Sequence, residues 1–330
     1  MKTDTPIKIS AVIPAYNSAA HIQRALDSVL TQTRPADEII VVDDGSTDGT
    51  AEIVRSYGDK VRLIEQANSG ASAARNAGIL AATGDWIALL DADDEWLPEK
   101  LKMQTEFIER DTSIVWVTSN YDRCLCDQNI RKTHPAKKKA MKKLFNRCYY
   151  VDFFDAFLLD SYGNTDTMLI KKEAIVQAGL FFVGQKRAND MDMWWRIAFR
   201  WPNIGFINQT LAIYHLNVSG SISVSYNDRM LYSEMIDRNL EEAKKHEMLD
   251  KFKPVAVYVL RRWIRGWLFA GEKHSARSTL KHFSFLFSPG YRTAIRTLTV
   301  CPSLTANCCK LISKTIRPLG LNRPLTIRPK

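Results

Sequence analysis

Four acids fall within five residues at Asp91-Ala92-Asp93-Asp94-Glu95, directly after the apolar run Trp86-Ile87-Ala88-Leu89-Leu90. So many like charges repel strongly without a cation. Carboxylate oxygens are the hard ligands that Mg2+ and Mn2+ take, typically through one or two carboxylates plus substrate phosphates, and Asp93 is the candidate ligand. Such groups need a rigid support. A continuous apolar run of about five residues bounded by turn formers reads as a buried parallel strand, and Pro98 suits the first turn of a following helix. The acids then stand at the carboxyl end of a buried strand, where open α/β sheets bind their ligands. The plainer alternative is a solvated acidic turn in which Asp94 caps the helix entered at Pro98.

The upstream chain repeats the arrangement. Lys8 to Pro14 reads as a strand closed by proline, followed by Ala15-Tyr16-Asn17-Ser18 and a helix over about 19–30 with Ser18 as its N-cap. Glu38 to Val42 is a second buried-strand pattern, and it too ends in acids, at Asp43-Asp44-Gly45-Ser46-Thr47-Asp48. A helix over 50–57, a strand over 61–65 and a helix opened by Asn68 to Gly78 follow; the small residues of the last let its backbone lie close to a sheet or a ligand. Four strands alternating with three helices before Asp91 predict a parallel, doubly wound sheet with right-handed crossovers. No G-x-G-x-x-G follows the first strand and no G-x-x-x-x-G-K-[ST] occurs, which argues against a dinucleotide or P-loop cradle. A diphosphate bound here would need a metal instead. Further along, Asp190 and Trp194 share a helical face at i and i+4, so an aromatic could desolvate the carboxylate and raise its pKa. Alternatively Asp190 is an N-cap on an amphipathic helix, with Trp194 and Trp195 in the core.

Taken in order, Val12-Ile13-Pro14-Ala15-Tyr16-Asn17, the Val42 to Asp48 turn, Asn68 to Gly78 and Asp91-Ala92-Asp93-Asp94 together resemble the inverting GT-A glycosyltransferases of family 2, over about residues 8–223. The resemblance implies an α/β protein of GT-A type, with a doubly wound, mostly parallel sheet flanked by helices. It implies a nucleotide-diphosphate sugar donor and a divalent metal, Mn2+ or Mg2+. Pro14, Tyr16 and Asp44 would hold base and ribose, and Asn68 would join the donor-binding set. Arg75 and Asp91 would face the donor sugar or diphosphate, with Asp93 as metal ligand and Asp190 in the place of the catalytic base. Asn189 stands where the family usually has Glu, which leaves the base in place but puts acceptor contacts in doubt. Tyr214-His215-Leu216-Asn217 resembles a segment that often reads Tyr-Arg-x-His; His215 occupies the Arg place, leaving a metal or diphosphate role for it open. Processive members carry Q-x-x-R-W and several membrane spans, whereas here Val259 precedes Arg262-Trp263, which favours transfer of a single sugar.

Charge is distributed unevenly. Of the net +10, residues 1–120 carry 11 Lys and Arg against 19 Asp and Glu, while 251–330 carry 16 basic residues and the single acid Glu272. An anionic surface or partner is implied for the C-terminal part. Arg261, Arg262 and Arg265 beside Trp263, Trp267 and Phe269 suit an in-plane membrane helix, or else a helix packed on the rest of the chain with its arginines in solvent. The basic run from His134 to Lys143 is either a solvated loop or a contact to a phosphate-bearing acceptor. We expect a catalytic domain over 1–225, with a nucleotide-sugar half over about 1–120 and an acceptor half over about 121–225, and a basic helical region over 226–330. With no signal peptide and no run long enough to span a bilayer, the expected location is cytoplasmic, peripheral on the inner face of the cytoplasmic membrane. The six cysteines then read as reduced thiols, although Cys124-x-Cys126 could bind a metal. The expected acceptor is a glycan or lipid-linked hydroxyl, and no nucleic acid is expected. The rivals are a nucleotidyltransferase of sugar phosphates, which should show a phosphate loop near its N-terminus, and a non-catalytic sugar-nucleotide or membrane-binding module, which would need no base.

Overall fold

The structure is a computed structural model; it describes residues 6–300 apart from 126–129, 134–143, 145–147, 161, 186 and 217–230. The basic run from His134 to Lys143, Cys126, Asn217 and the last thirty residues lie outside the described residues.

The apolar runs become the centre of a sheet. β1 (Ile9–Ala15) and β4 (Trp86–Leu89) are buried along their whole length, β2 (Glu38–Asp43) along all but its first residue, and β3 (Arg62–Glu65) forms the more exposed edge. They pair in parallel in the order β3-β2-β1-β4. The helices between them are α1 (Ile22–Leu30), α2 (Thr50–Arg55) and α3 (Ala71–Ala81). All three chain reversals at the carboxyl ends of β1, β2 and β4 therefore open on one edge of the sheet, which is how sequence-distant acids come to share a site.

Beyond β4 the sheet is mixed. β5 (Glu95–Trp96), α4 (Lys100–Arg110), β6 (Trp116–Leu125), β7 (Ile130–Thr133), β8 (Tyr149–Tyr150), α5 (Phe153–Leu158), β9 (Leu169–Lys171), α6 (Lys172–Gln177), α7 (Asn189–Arg200) and β10 (Ile204–Leu216) follow in order. The sheet continues β4-β9-β6-β10-β5, with β7 on β6 and β8 on β10. β9 runs antiparallel to both of its neighbours, and the long β10 runs parallel to β6. The architecture is thus α/β with a mixed sheet flanked by helices, parallel throughout its N-terminal half.

Two local expectations fail for identifiable reasons. Ser18 is not the cap of α1: its hydroxyl donates to the Tyr16 carbonyl at 3.1 Å, and its own carbonyl accepts from His21 and Ile22 in a turn that delays the helix to Ile22. Asp94 does not cap the helix after Pro98 either. The two-residue strand β5 intervenes, α4 begins at Lys100, and Asp94 is fully buried with its carboxylate turned to the backbone of β10. The small residues of α3 behave as read. A Cβ at Gly78 would lie 2.5 Å from Val12 Cγ1 and 3.2 Å from Val42 Cγ2, so the helix rests directly on β1 and β2.

A second compact unit begins at Tyr232. Its helices are α8 (Leu231–Lys245), α9 (Leu249–Phe269), α10 (Lys273–His282) and α11 (Pro289–Val300). α8, which reads as charged on most faces, nonetheless buries Met235, Ile236, Asn239, Leu240 and Ala243 on one side. α9 buries Phe252, Val255, Val259, Leu260, Ile264, Trp267 and Leu268, leaving Arg261 and Phe269 exposed. Among the described residues, no helix is long and apolar enough to cross a membrane.

Gly78→Ala should lower stability by about 1–3 kcal/mol, the cost of overpacking a filled core, because both close neighbours are β-branched side chains held in the sheet. Chemical denaturation checks this, and an unchanged midpoint would show that α3 can slide away from β1.

Candidate active site

The turn after β4 gathers the carboxylates. The Asp94 amide donates to the Asp91 carbonyl at 3.0 Å, closing the turn. Arg75, on α3 and 6% exposed, donates through Nη2 to Asp91 Oδ1. The Asp91 amide in turn donates to Asp166 Oδ1 at 2.9 Å. Asp166 sits on the 3-10 turn Thr165–Thr167 that leads into β9, is 1% exposed, and accepts from Asn164 Nδ2 at 2.7 Å on its other oxygen. Asp94 Oδ1 accepts the main-chain amide of His215 on β10 at 2.7 Å. One carboxylate oxygen each of Asp91, Asp94 and Asp166 lies within 4.8 Å of the others.

Electrostatics follow from that crowding. Burial first, and like charge second, push Asp94 well above the usual carboxylate range and Asp166 to about 7. Asp94 Oδ2 has no hydrogen-bond partner among the described residues, and the Asp94 and Asp166 carboxyls are crowded together out of water, where the charge of Asp166 favours the neutral form of Asp94. Lys100, fully buried at the start of α4, donates to Gln104 Oε1 at 2.9 Å and lies 4.1 Å from the Trp96 ring centroid; burial pushes it down to about 7 while Asp166 works the other way. Asp93 is more open. Burial, then the neighbouring Asp91, push its carboxyl up to about 6, against the pull of Arg24 and His215. Arg24 on α1 also donates to the Asp93 carbonyl, fixing this residue from the other side. His215 Nε2 lies 3.0 Å from Glu95 Oε1, a bond that holds Glu95 below its ordinary value despite burial.

Asp190 approaches from the second half of the chain. It lies in the first turn of α7, after Ala188 in the left-handed region at φ 55°, and is half-buried. The N-cap alternative is not realised, since Ala188 holds that position; Asp190 Oδ1 accepts from the Met191 amide at 2.7 Å instead. Burial raises its pKa, opposed by Met191 and by the charge of Arg75. Arg75 thus feels Asp91 and Asp190 together, and these keep it protonated although burial alone would lower it. Its Nε and Nη1 have no hydrogen-bond partner among the described residues. Asn189 donates to Ser72 Oγ at 3.0 Å, tying the start of α7 to α3. Asn76 holds Phe181 through both its amide and its carbonyl, at 2.8 Å each, and Phe181 stands 5.5 Å from the Arg75 guanidinium and edge-on to Trp194 at 5.9 Å. Trp194 and Trp195 are both fully buried, core residues as the plainer reading has them.

The residues expected at the base and ribose lie at the ends of β1 and β2. Pro14 is buried within β1, and Tyr16 is 51% exposed at the rim. Asp44 is 2% exposed with both oxygens engaged, by Gln66 Nε2 at 2.7 Å, Ser69 N at 2.9 Å and Gly70 N at 2.7 Å. It orders the exposed loop that carries Asn68 and opens α3. The loops after β1 and β2 are joined as well, Asn17 N to Ser46 Oγ at 2.9 Å and Thr47 N to Asn17 Oδ1 at 2.8 Å. The structure therefore gathers Arg75, Asp91, Asp93, Asp190 and His215 and leaves Tyr16 and Asn68 on the flank. Sequence reasoning missed Asp166, Arg24 and Lys100. Only Lys100, a lysine directly after the acidic turn, offered any signal.

A divalent cation suits these residues. The turn offers hard carboxylate oxygens only: Asp91 and Asp93 are partly open to solvent, and the buried Asp94 keeps one oxygen with no partner among the described residues. The sheet, parallel in its N-terminal half and mixed beyond β4, flanked by helices, has the GT-A architecture. Comparison places the chain: the family description "Glycosyl transferase family 2" matches residues 10–175, and the chain belongs to that family. An uncharacterized glycosyltransferase of Rickettsia prowazekii is 31% identical over 245 residues, 73% of this chain and 74% of the relative. A putative teichuronic acid biosynthesis glycosyltransferase of Bacillus subtilis, TuaG, is 40% identical over 104 residues, 30% of this chain and 41% of that one. The crystal structure of S. aureus TarS in complex with UDP-GlcNAc shares the fold at a TM-score of 0.71 and 17% identity, covering 94% of this chain and 92% of that chain.

A carboxyl whose folded pKa is raised binds protons more readily folded than unfolded, so it destabilises the chain as pH rises from about 4 through the folded value. For Asp93 that window closes near 6. Asp93→Asn should raise the melting temperature of metal-free protein at about pH 8, by up to about 2 kcal/mol of stability, and change nothing at about pH 4. Equal effects at both pH values would mean that Asp93 is not strained by its neighbours.

Proposed function

We propose that this glycosyltransferase moves one sugar from a nucleoside-diphosphate sugar to a hydroxyl of a glycan or lipid-linked acceptor, with inversion, in the synthesis of a surface polysaccharide. The observation that carries this reading is Arg75: nearly buried, charged, flanked by Asp91 and Asp190, with two nitrogens that no described protein group satisfies. Such an arginine suits a phosphate or sugar oxygen. A half-buried carboxylate stands beside it. A nucleotidyltransferase lacks support, because the loop after β1 is Tyr16-Asn17-Ser18 rather than a phosphate cradle.

Asp190 accepts the proton of the acceptor hydroxyl as that oxygen attacks the anomeric carbon, a contribution of about 10² to 10⁴ in rate. Burial raises its pKa, which makes it a better base, while the charge of Arg75 works the other way and favours the carboxylate. Arg75 itself is aligned by Asp91 and backed by the Phe181 ring. Asp93, with Asp91 beside it, would hold Mn2+ or Mg2+, which supplies Lewis-acid stabilisation of the departing diphosphate when bound. Attack opposite the leaving group inverts the anomeric centre and needs no nucleophilic side chain. Tyr16 and Asn68, exposed at the rim, are left to meet the base and ribose. The UDP-GlcNAc of the TarS complex and the polysaccharide in the name of TuaG support the donor and product classes.

The protein would work at the inner face of the cytoplasmic membrane. Burial of Trp267 and of the apolar side of α9 supports attachment by charge, through the basic excess after Lys251, over in-plane insertion of α9.

Asp190→Asn should keep donor binding and lose about two to four decades of transfer rate, and the wild-type rate should fall on the acid side at a pH above the ordinary aspartate value of 3.8. Near-normal turnover in the variant would return Asp190 to a purely helical role. The chain should also sediment with anionic vesicles at low salt and release as the Debye length shortens from about 10 Å toward 3 Å; charge reversal at the exposed Lys253, Lys281 and Arg296 that leaves sedimentation intact would exclude the tail as anchor.

A further inference from the structure

We propose that Asp166 is a positioning residue for the donor site: from the turn before β9 it holds the Asp91–Asp94 turn in the shape that presents Asp91 and Asp93. The inference rests on the reading of that turn as the donor and metal site. Asp166 is 1% exposed. Its hydrogen bonds go to the acidic turn and to its own turn. Its Oδ1 receives the Asp91 amide across 75 residues of sequence, its Oδ2 receives Asn164 Nδ2, and its carboxyl faces that of Asp94, whose Oδ1 is taken by the His215 amide. Three strand ends, those of β4, β9 and β10, therefore meet on two buried carboxyls. Asn164 is held in its turn, its amide receiving from nowhere but donating its own N–H group to Asp166, and the Thr167 hydroxyl closes the turn on the Asn164 carbonyl at 2.7 Å. Thr167 in turn meets Thr118 of β6 at 2.8 Å, and its carbonyl accepts from Gln104, which also receives Lys100. The turn is thus anchored to β6 and α4 before it touches the acids, so Asp166 transmits a fixed position.

Groups behind the direct ligands commonly set metal affinity, and their loss costs about 10–100-fold. Asparagine separates this role from direct ligation. In Asp166→Asn, the amide oxygen still accepts from Asp91, the amide nitrogen offers a donor to the facing Asp94 carboxyl, and Asn164 can reverse its amide, because its Oδ1 has no partner among the described residues. Alanine keeps none of this.

The test measures binding of Mn2+ alone by electron paramagnetic resonance, and of UDP, GDP, CDP, ADP and dTDP in Mn2+ by calorimetry, on full-length wild type, D166N and D166A, at a temperature where circular dichroism shows all three folded. We expect D166A to bind Mn2+ and the preferred diphosphate about 10–100-fold more weakly, and D166N to stay within about threefold of wild type, since the acids keep their support. Three results would overturn the inference. If D166A loses melting temperature yet binds as wild type does, Asp166 has a folding role only. If D166N loses Mn2+ as fully as D166A, Asp166 is itself a ligand. If wild type binds none of the five diphosphates in Mn2+, the donor-site reading falls and takes the inference with it.

Discussion

Carboxylates held within 4.8 Å of one another and largely out of water are the constraint to which the rest of this molecule answers. A buried unpaired charge costs several kcal/mol even after relaxation, and four acids follow β4 within five residues. The surroundings meet that cost in different ways. Arg75 offsets Asp91, main-chain amides of Asp91 and His215 supply neutral donors to Asp166 and Asp94, and Asp94 Oδ2 is left without a partner among the described residues. Asp91 and Asp93 are the acids of the turn partly open to solvent, where a cation has access.

The same logic explains the mixed sheet. A purely parallel continuation would place another strand's carboxyl end, with its own loop, beside β4. Instead β9 runs antiparallel, so the turn before it, not a turn after it, arrives at the edge where the acids stand. That reversal brings Asp166 to the Asp91 amide. Meanwhile β10, parallel to β6, delivers its far end with His215 to the same edge.

How much of this could be read beforehand depends on the range of the interaction. β1, β2 and β4 were legible because a fully buried strand writes a continuous apolar run, and the acids at their ends stand out against it. Arg75 and Asp190 were legible only through motifs. Asp166 was not, since nothing local distinguishes an aspartate in Asn164-Thr165-Asp166-Thr167 from a surface turn; its meaning comes from residues about 75 positions earlier. Ser18 misled because two other groups, the Tyr16 carbonyl and Thr50, claimed its hydroxyl and amide. Asp44 has a part its type alone did not announce, its oxygens ordering the next loop. In α9 the Trp and Arg interleaving was the same for a membrane face and a packed one, and only the burial of Trp267 separates them.

The insertion of β9 between β4 and β6 also sets an order of events during synthesis. Residues up to Leu89 can close the parallel β3-β2-β1-β4 half by themselves, yet one side of β4 then has no neighbour, and the acids beyond it lack Asp166 and His215. Those partners emerge about 75 and 120 residues later, and contacts of such separation form slowly. A nascent chain would therefore carry an open strand edge and an unneutralised acidic turn for several seconds at ordinary elongation rates of about 5–20 residues per second. The negative turn at that edge gives it a built-in guard, because like charge on two such chains opposes edge-to-edge pairing until the strand that belongs there has been made.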